Sequence, residues 1–266
     1  MILDILFVKK LTITKTLTAD TAKARLRTAM LGSLLVANLI VTAAAFLQAS
    51  VGVGFAMIAV PLLLLLEPQL VPVPILTAMT VLAAAMLLRE RSAFDRDGAL
   101  ALIPGLMAGI ISATVILPLL PVTMDVVFGA LIIAAVIWSV WGPVIDMNRK
   151  TFFIAGTVAG AMGTVSGMHG PALAIAYQRY SPAQARATIA GIFVKASTLS
   201  VAVLLVIGAS DGDDLIAEIW LLPGTLIGFG ATFIIPRPRP RPTPKLAGIR
   251  MLAVAFVSAL ALLPYG

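Results

Sequence analysis

The chain has 266 residues, 60% of them AVILMFWYC and only 12% charged, with a mean hydropathy of +1.06. A water-soluble domain is nearer half apolar and a quarter charged, so the polar side chains here are too few to cover a globule. A soluble enzyme, a disordered tail and a nucleic-acid-binding domain are excluded, and the composition is that of a polytopic membrane protein. The net charge of +7 reads as loops facing an anionic leaflet, with no nucleic-acid partner. The absence of cysteine removes disulfides, thiol chemistry and cysteine-ligated metals.

Residues 1–29 form a basic arm in which Lys9, Lys10, Lys15, Lys23, Arg25 and Arg27 follow a small apolar start, Ile2 to Val8. A signal peptide carries its charge before its apolar run; the order here is reversed, so no cleaved leader is expected. Met30 stands directly before the first membrane segment, and a chain starting there would lose nothing the membrane needs. From residue 30 to the end a single transmembrane domain is expected. Apolar runs without interior charge fall near 31–49, 51–66, 71–88, 99–120, 125–145, 151–177, 187–209, 215–235 and 246–264.

Three internal echoes mark a duplication. Leu102-Ile103-Pro104-Gly105, with Gly109, matches Leu221-Leu222-Pro223-Gly224, with Gly228, at an offset of 119. Ala113, Thr114, Ile116 and Pro118 match Ala231, Thr232, Ile234 and Pro236 at 118. Ser50, Gly54 and Ala56 match Ser166, Gly170 and Ala172 at 116. Two repeats, about 31–146 and 151–264, follow, each a long first element and three ordinary spans.

A continuous helix over 31–66 would run about 54 Å at 1.5 Å per residue, beyond a hydrocarbon core of about 30 Å. It must break, and Gln48-Ala49-Ser50-Val51-Gly52-Val53-Gly54 supplies glycines, a hydroxyl and an amide for the purpose. The second break is Gly163-Thr164-Val165-Ser166-Gly167-Met168-His169-Gly170-Pro171. Its arms, about 151–162 and 171–180, are each shorter than a full crossing, which favours a re-entrant hairpin. Irregular backbone at membrane depth is tolerated only in protein or beside a cavity.

Loop charge tests this arrangement. If each first element returns to its starting side, the second half is inverted. Arg89, Arg91, Arg96, Arg149, Lys150, Arg179, Arg186, Arg237, Arg239, Arg241 and Lys245 then all face the cytoplasm, with Asp211, Asp213 and Asp214 outside. Eight plain spans with the amino terminus inside would put the basic residues of 179–186 and 236–245 outside. A hybrid, in which the first element crosses once, also places the basic arm inside but breaks the repeat symmetry.

Broken elements of inverted repeats that meet near the midplane make a transporter site. A helix that begins inside the membrane points unpaired amides and a positive dipole end at the gap, which favours an anion. Gly52, Gly54, Gly167 and Gly170 would let the anion approach the backbone, with Gln48, Ser50, Thr164 and Ser166 as neutral hydrogen-bond donors. Close helix packing by small residues is the competing explanation. Lys195 lies nine residues past Arg186 in an apolar segment, too deep for comfortable snorkelling, and no acidic partner is evident. It would supply the anion's countercharge, or stand as a structural lysine bonded to carbonyls or deprotonated. His169, the sole histidine, would donate to the substrate, carry a proton, or pack as a neutral imidazole. One histidine without cysteine or a nearby carboxylate cannot hold a metal. No catalytic constellation or cofactor motif is present. Arg237 to Lys245, alternating with proline, reads as a stiff cytoplasmic linker.

At these residues the chain resembles the sulfite exporter TauE/SafE family of bacterial membrane transporters, from about Met30 to the end. The resemblance is carried by Gly52-Val53-Gly54-Phe55-Ala56-Met57-Ile58-Ala59-Val60-Pro61-Leu62, by Ser166-Gly167-Met168-His169-Gly170-Pro171, and by Arg186-Ala187-Thr188. Members commonly show three consecutive glycines at the first break; here Phe55 and Ala56 stand in their places. The resemblance implies sulfite or a related sulfur oxyanion as cargo, whereas the residues themselves argue only for a small anion. The expectation is therefore an all-α, multi-pass protein of the bacterial inner membrane, without cofactor, that exports a small anion by alternating access. A membrane-embedded enzyme and a structural or partner-binding membrane protein are the rival classes.

Overall fold

A helix with glycines past its end must stop where no side chain can hold the backbone straight, and the first membrane segment does so. The computed structural model describes residues 32–116, 146, 148–166, 168–206, 208 and 219–235. The basic arm, the segments near 125–145 and 246–264, the aspartates 211–214, the linker 237–245 and Gly167 lie outside them. The chain falls into two units, residues 1–37 and 38–266; of the first, only the helical residues 32–37 are described.

Helix α1, Gly32–Val51, ends at a kink in which Gly52 and Gly54 have φ of 107° and 124°. Those angles are open to glycine and strained for any other residue. Helix α2, Phe55–Leu66, turns back, and the 3-10 turn Pro68–Leu70 leads into α3, Val73–Glu90. After the turn Arg91–Ala93 come α4, Arg96–Ile116, then α5, Arg149–Ser166. Helix α6, Gly170–Ala176, is short, and α7, Pro182–Val206, and α8, Leu222–Ile234, complete the order. All regular structure among the described residues is helical, and α1, α3, α4 and α7 are each long and apolar enough to cross a membrane.

Lipid tails are as apolar as leucine, so helices in a membrane associate through close packing rather than hydrophobic burial. Helices α4 and α5 use glycine for this on both sides. A Cβ on Gly105 or Gly109 would run into the carbonyls of Phe153 or Thr157, and one on Gly156 or Gly160 into those of Leu102 or Leu106. The order of these contacts makes the two helices parallel. Helix α8 meets α1 in the same sense, with Gly224 against Asn38 and Gly228 against Thr42 and Ala45. Asn38 locks that pair: its Nδ2 donates to the Trp220 carbonyl at 2.8 Å and its Oδ1 accepts from Gly224 N at 2.8 Å.

Helices α3 and α7 run antiparallel. Val73 and Leu76 pack on Leu204, Ser197 Oγ lies 3.5 Å from Met79 Sδ, and Glu90 reaches Arg186. One end of the bundle therefore gathers the loop after α3, the start of α5 and the turn before α7. There Thr188 Oγ1 accepts from Asp95 N at 2.9 Å, Arg179 pairs with Asp146, and the Phe152 ring sits 5.7 Å from that of Tyr177. Burial pushes the Tyr180 phenol pKa up in this turn, with the Asp95 carboxylate adding to it.

Candidate functional site

The first interruption is built around Gln48, which has no exposed surface. The kink strips α2 of the carbonyls that would receive its first amides, and the Gln48 side chain replaces one of them: Phe55 N donates to Gln48 Oε1 at 3.0 Å. That bond fixes which end of the amide is oxygen. The other end, Nε2, is buried and has no hydrogen-bond partner among the described residues. An orphaned buried donor costs about 1–3 kcal/mol, and one at a glycine-lined break is placed to serve a ligand. The main chain folds tightly over it, with Gly52 N donating to the Gln48 carbonyl at 2.6 Å.

Ser50 and Thr164 are committed internally. Ser50 Oγ donates to the Phe46 carbonyl one turn back at 2.7 Å. Thr164 Oγ1 donates to the Gly160 carbonyl at 2.9 Å and shares a 3.1 Å contact with Ser200 Oγ. Such back-bonds satisfy a hydroxyl inside a helix and loosen the helix locally. Ser166 is the last residue of α5, and Gly167 lies outside the described residues.

The second interruption continues with His169, fully buried, its ring edge-on to Phe193 with centroids 6.1 Å apart. The imidazole occupies the space that a side chain on Gly163 would need. Gly170 opens α6, and a Cβ placed on it would stand 3.7 Å from Val53 Cβ. Val53 lies between Gly52 and Gly54, so the two interruptions approach to within the width of one added methyl group. Val53 thus brings Gln48, Gly52 and Gly54 close to Gly170 and its neighbour His169.

Lys195 is not part of this group. It sits on an exposed stripe of α7 with Thr198 and Ala202, while its neighbours Phe193, Ala196 and Ser197 are buried. The cations that flank the first interruption are two arginines counted in the sequence only as loop charge. Arg89 Nη2 donates to the Ala49 carbonyl at 2.8 Å and Nη1 to Thr232 Oγ1 at 2.7 Å, with the guanidinium over the Phe229 ring at 4.7 Å. Arg186 lays its stem on Gly52, its Cγ 2.9 Å from the point a Cβ there would occupy. Its Nε donates to Glu90 Oε2 at 3.0 Å and to Oε1 at 3.2 Å, and Nη2 donates to Oε1 at 3.1 Å. No group of three metal-ligating side chains occurs among the described residues.

The family model described as sulfite exporter TauE/SafE matches residues 37–263, nearly the whole chain. No curated protein and no solved structure matches it.

Proposed function

The chain belongs to the sulfite exporter TauE/SafE family, a family of membrane transporters rather than enzymes, and from that premise we propose that it carries a small anion outward across the bacterial inner membrane by alternating access. The observation that carries the reading is the close approach of Val53 to Gly170, where only one more methyl group would fit, which brings two broken helical elements together near the orphaned Gln48 amide. An anion there meets Gln48 Nε2 and the glycine backbone of Gly54 and Gly170, with Gly52 holding the kink through its bond to the Gln48 carbonyl. Ser50 and Thr164, bonded to carbonyls one turn back, shape the breaks, and His169 lines the second. Sulfite or an organosulfonate is the cargo in this reading.

Two inverted repeats, about 31–146 and 151–264, belong to the same proposal. At the offset of 119 the Pro-Gly segment of α4 corresponds to that of α8. Each packs in parallel on the first helix of the other half, α4 on α5 and α8 on α1. The corresponding spans α3 and α7 pair with each other in opposite directions, as a two-fold axis in the membrane plane requires. An inside-negative potential favours exit of a monovalent anion by about 2.3 kcal/mol per 100 mV, so outward flow needs no coupling ion.

Purified protein in liposomes tests the reading. Sulfite, methanesulfonate and acetate are loaded inside, and efflux is followed under an imposed potential. Wild-type protein should release at least one of them well above protein-free liposomes. Gln48→Glu, which keeps the acceptor for Phe55 N and replaces the donor with an oxygen, should slow release at least tenfold with the protein still folded. Wild-type protein that releases none of the three overturns the proposal.

A further inference from the structure

The transport reading leaves unexplained why a carboxylate is held between two guanidiniums at the first interruption. Arg186 presents its Nε and Nη2 edge to both oxygens of Glu90 at 3.0–3.2 Å, and the side chains of both are nearly buried, at 14% and 13% exposed. Arg89 approaches the same carboxylate, with Nε 3.9 Å from Oε1, while its two terminal nitrogens bind Ala49 and Thr232. Arg89 therefore braces helices, whereas the recognition edge of Arg186 is given wholly to Glu90. The stem of Arg186 fills the space a side chain on Gly52 would need, one residue from the Val53 that approaches Gly170.

A planar guanidinium edge that grips two carboxylate oxygens grips two oxygens of a sulfite, a sulfonate or a carboxylate with the same geometry, and a halide with one contact less. Burying Arg186 without an anion would be costly, so in the substrate-free protein some internal anion must neutralise it.

We propose that Glu90 is that internal anion: it holds the place on Arg186 that a transported oxyanion takes, and cargo is captured and released by exchange with the Glu90 carboxylate. The proposal rests on the anion-transport reading and adds its recognition residue and its cargo class, an anion with at least two oxygens on one centre. Exchange has a kinetic signature. Without a competing carboxylate the anion binds more tightly, and without a carboxylate to displace it the anion also leaves more slowly.

Flux is measured against concentration for sulfite, methanesulfonate, acetate and chloride at constant ionic strength. Glu90→Gln should lower the half-saturating concentration of the oxyanions at least fivefold, lower the maximal rate, and tighten chloride by a clearly smaller factor. Arg186→Lys, which keeps the charge and loses the paired donors, should raise half-saturation tenfold or more. A pair that served only to hold α3 against α7 would lower the rate in both variants without tightening binding. Wild-type half-saturation in Glu90→Gln, or an equal gain for chloride, overturns the proposal. If Glu90→Gln does not fold, Glu90→Asp replaces it and should shift half-saturation the same way by a smaller factor.

Protection against thermal unfolding separates the two failures. Oxyanions should raise the unfolding temperature of Glu90→Gln, or of its Glu90→Asp substitute, and that rise should vanish when Arg186→Lys is added. Protection without wild-type flux refutes transport and leaves the site standing. Flux in the wild type without any such protection refutes the site and leaves transport standing.

Discussion

Gly163 lies directly beneath the imidazole of His169, where a Cβ on the glycine would fall inside the ring. The glycine at the end of α5 is therefore a socket for the histidine of the second interruption. Gly163→Ala should lower stability by about 1–3 kcal/mol, the usual cost of overpacking, and displace the ring. Thermal unfolding in detergent measures it. His169→Ala removes the obstacle, so the double variant should recover most of the loss that Gly163→Ala causes alone. Additive losses would mean that the two residues do not compete for one space.

The first interruption depends on backbone angles as well as on space. Gly52 and Gly54 hold φ of 107° and 124°, and the Arg186 stem and Leu47 stand 2.9 Å from where their Cβ atoms would be. Gly54→Ala combines a strained backbone with a clash against a movable leucine tip and should cost about 1–3 kcal/mol. Gly52→Ala meets the Arg186 main chain as well as its stem, so it should cost more. Unfolding temperatures of the two variants should fall in that order, and equal, negligible shifts would remove the constraint.

Much of this was legible in the residues. The composition specified a helical membrane protein, and a run too long for one crossing, with glycines near residue 52, specified a break there. The Pro-Gly echoes were visible too, but not their partners, because nothing in a Gly-x-x-x-Gly pattern says which helix it will meet. The Arg89, Glu90 and Arg186 cluster was hidden for a related reason. Arg186 and Glu90 lie 96 positions apart, and each stands at a segment end where snorkelling explains a charge by itself. Lys195 drew attention because its depth along the segment could be counted, whereas the face it occupies depends on how α7 packs.

That face gives the third prediction. Lys195 is exposed on α7, while the arginines that border the first interruption are nearly buried. The sequence alone suggests that removing this lysine abolishes flux. With the residue on an exposed stripe of the helix, turned away from the buried Phe193 that packs on His169, Lys195→Ala should instead retain flux within about threefold of wild type in liposomes. A loss of tenfold or more at unchanged protein content would return the countercharge to Lys195.

The fourth prediction concerns sidedness. Among the described residues, every lysine and arginine except Lys195 belongs to one end of the bundle, where Arg179 pairs with Asp146 and Arg89 and Arg186 flank Glu90. Basic loops stay on the cytoplasmic side during insertion, so this end should face the cytoplasm. Ser92, in the turn after α3, and Ser181, before α7, are exposed there, while Gln69 is exposed in the linker where α2 gives way to α3, at the other end. The chain has no cysteine, so single cysteines at these three positions report without background. In intact cells a membrane-impermeant thiol reagent should label Gln69→Cys and spare Ser92→Cys and Ser181→Cys; in inverted vesicles the pattern should reverse. Ser92→Cys and Ser181→Cys labelled from opposite faces would break the hairpin that α5 and α6 form, and with it the inverted arrangement on which outward transport is argued.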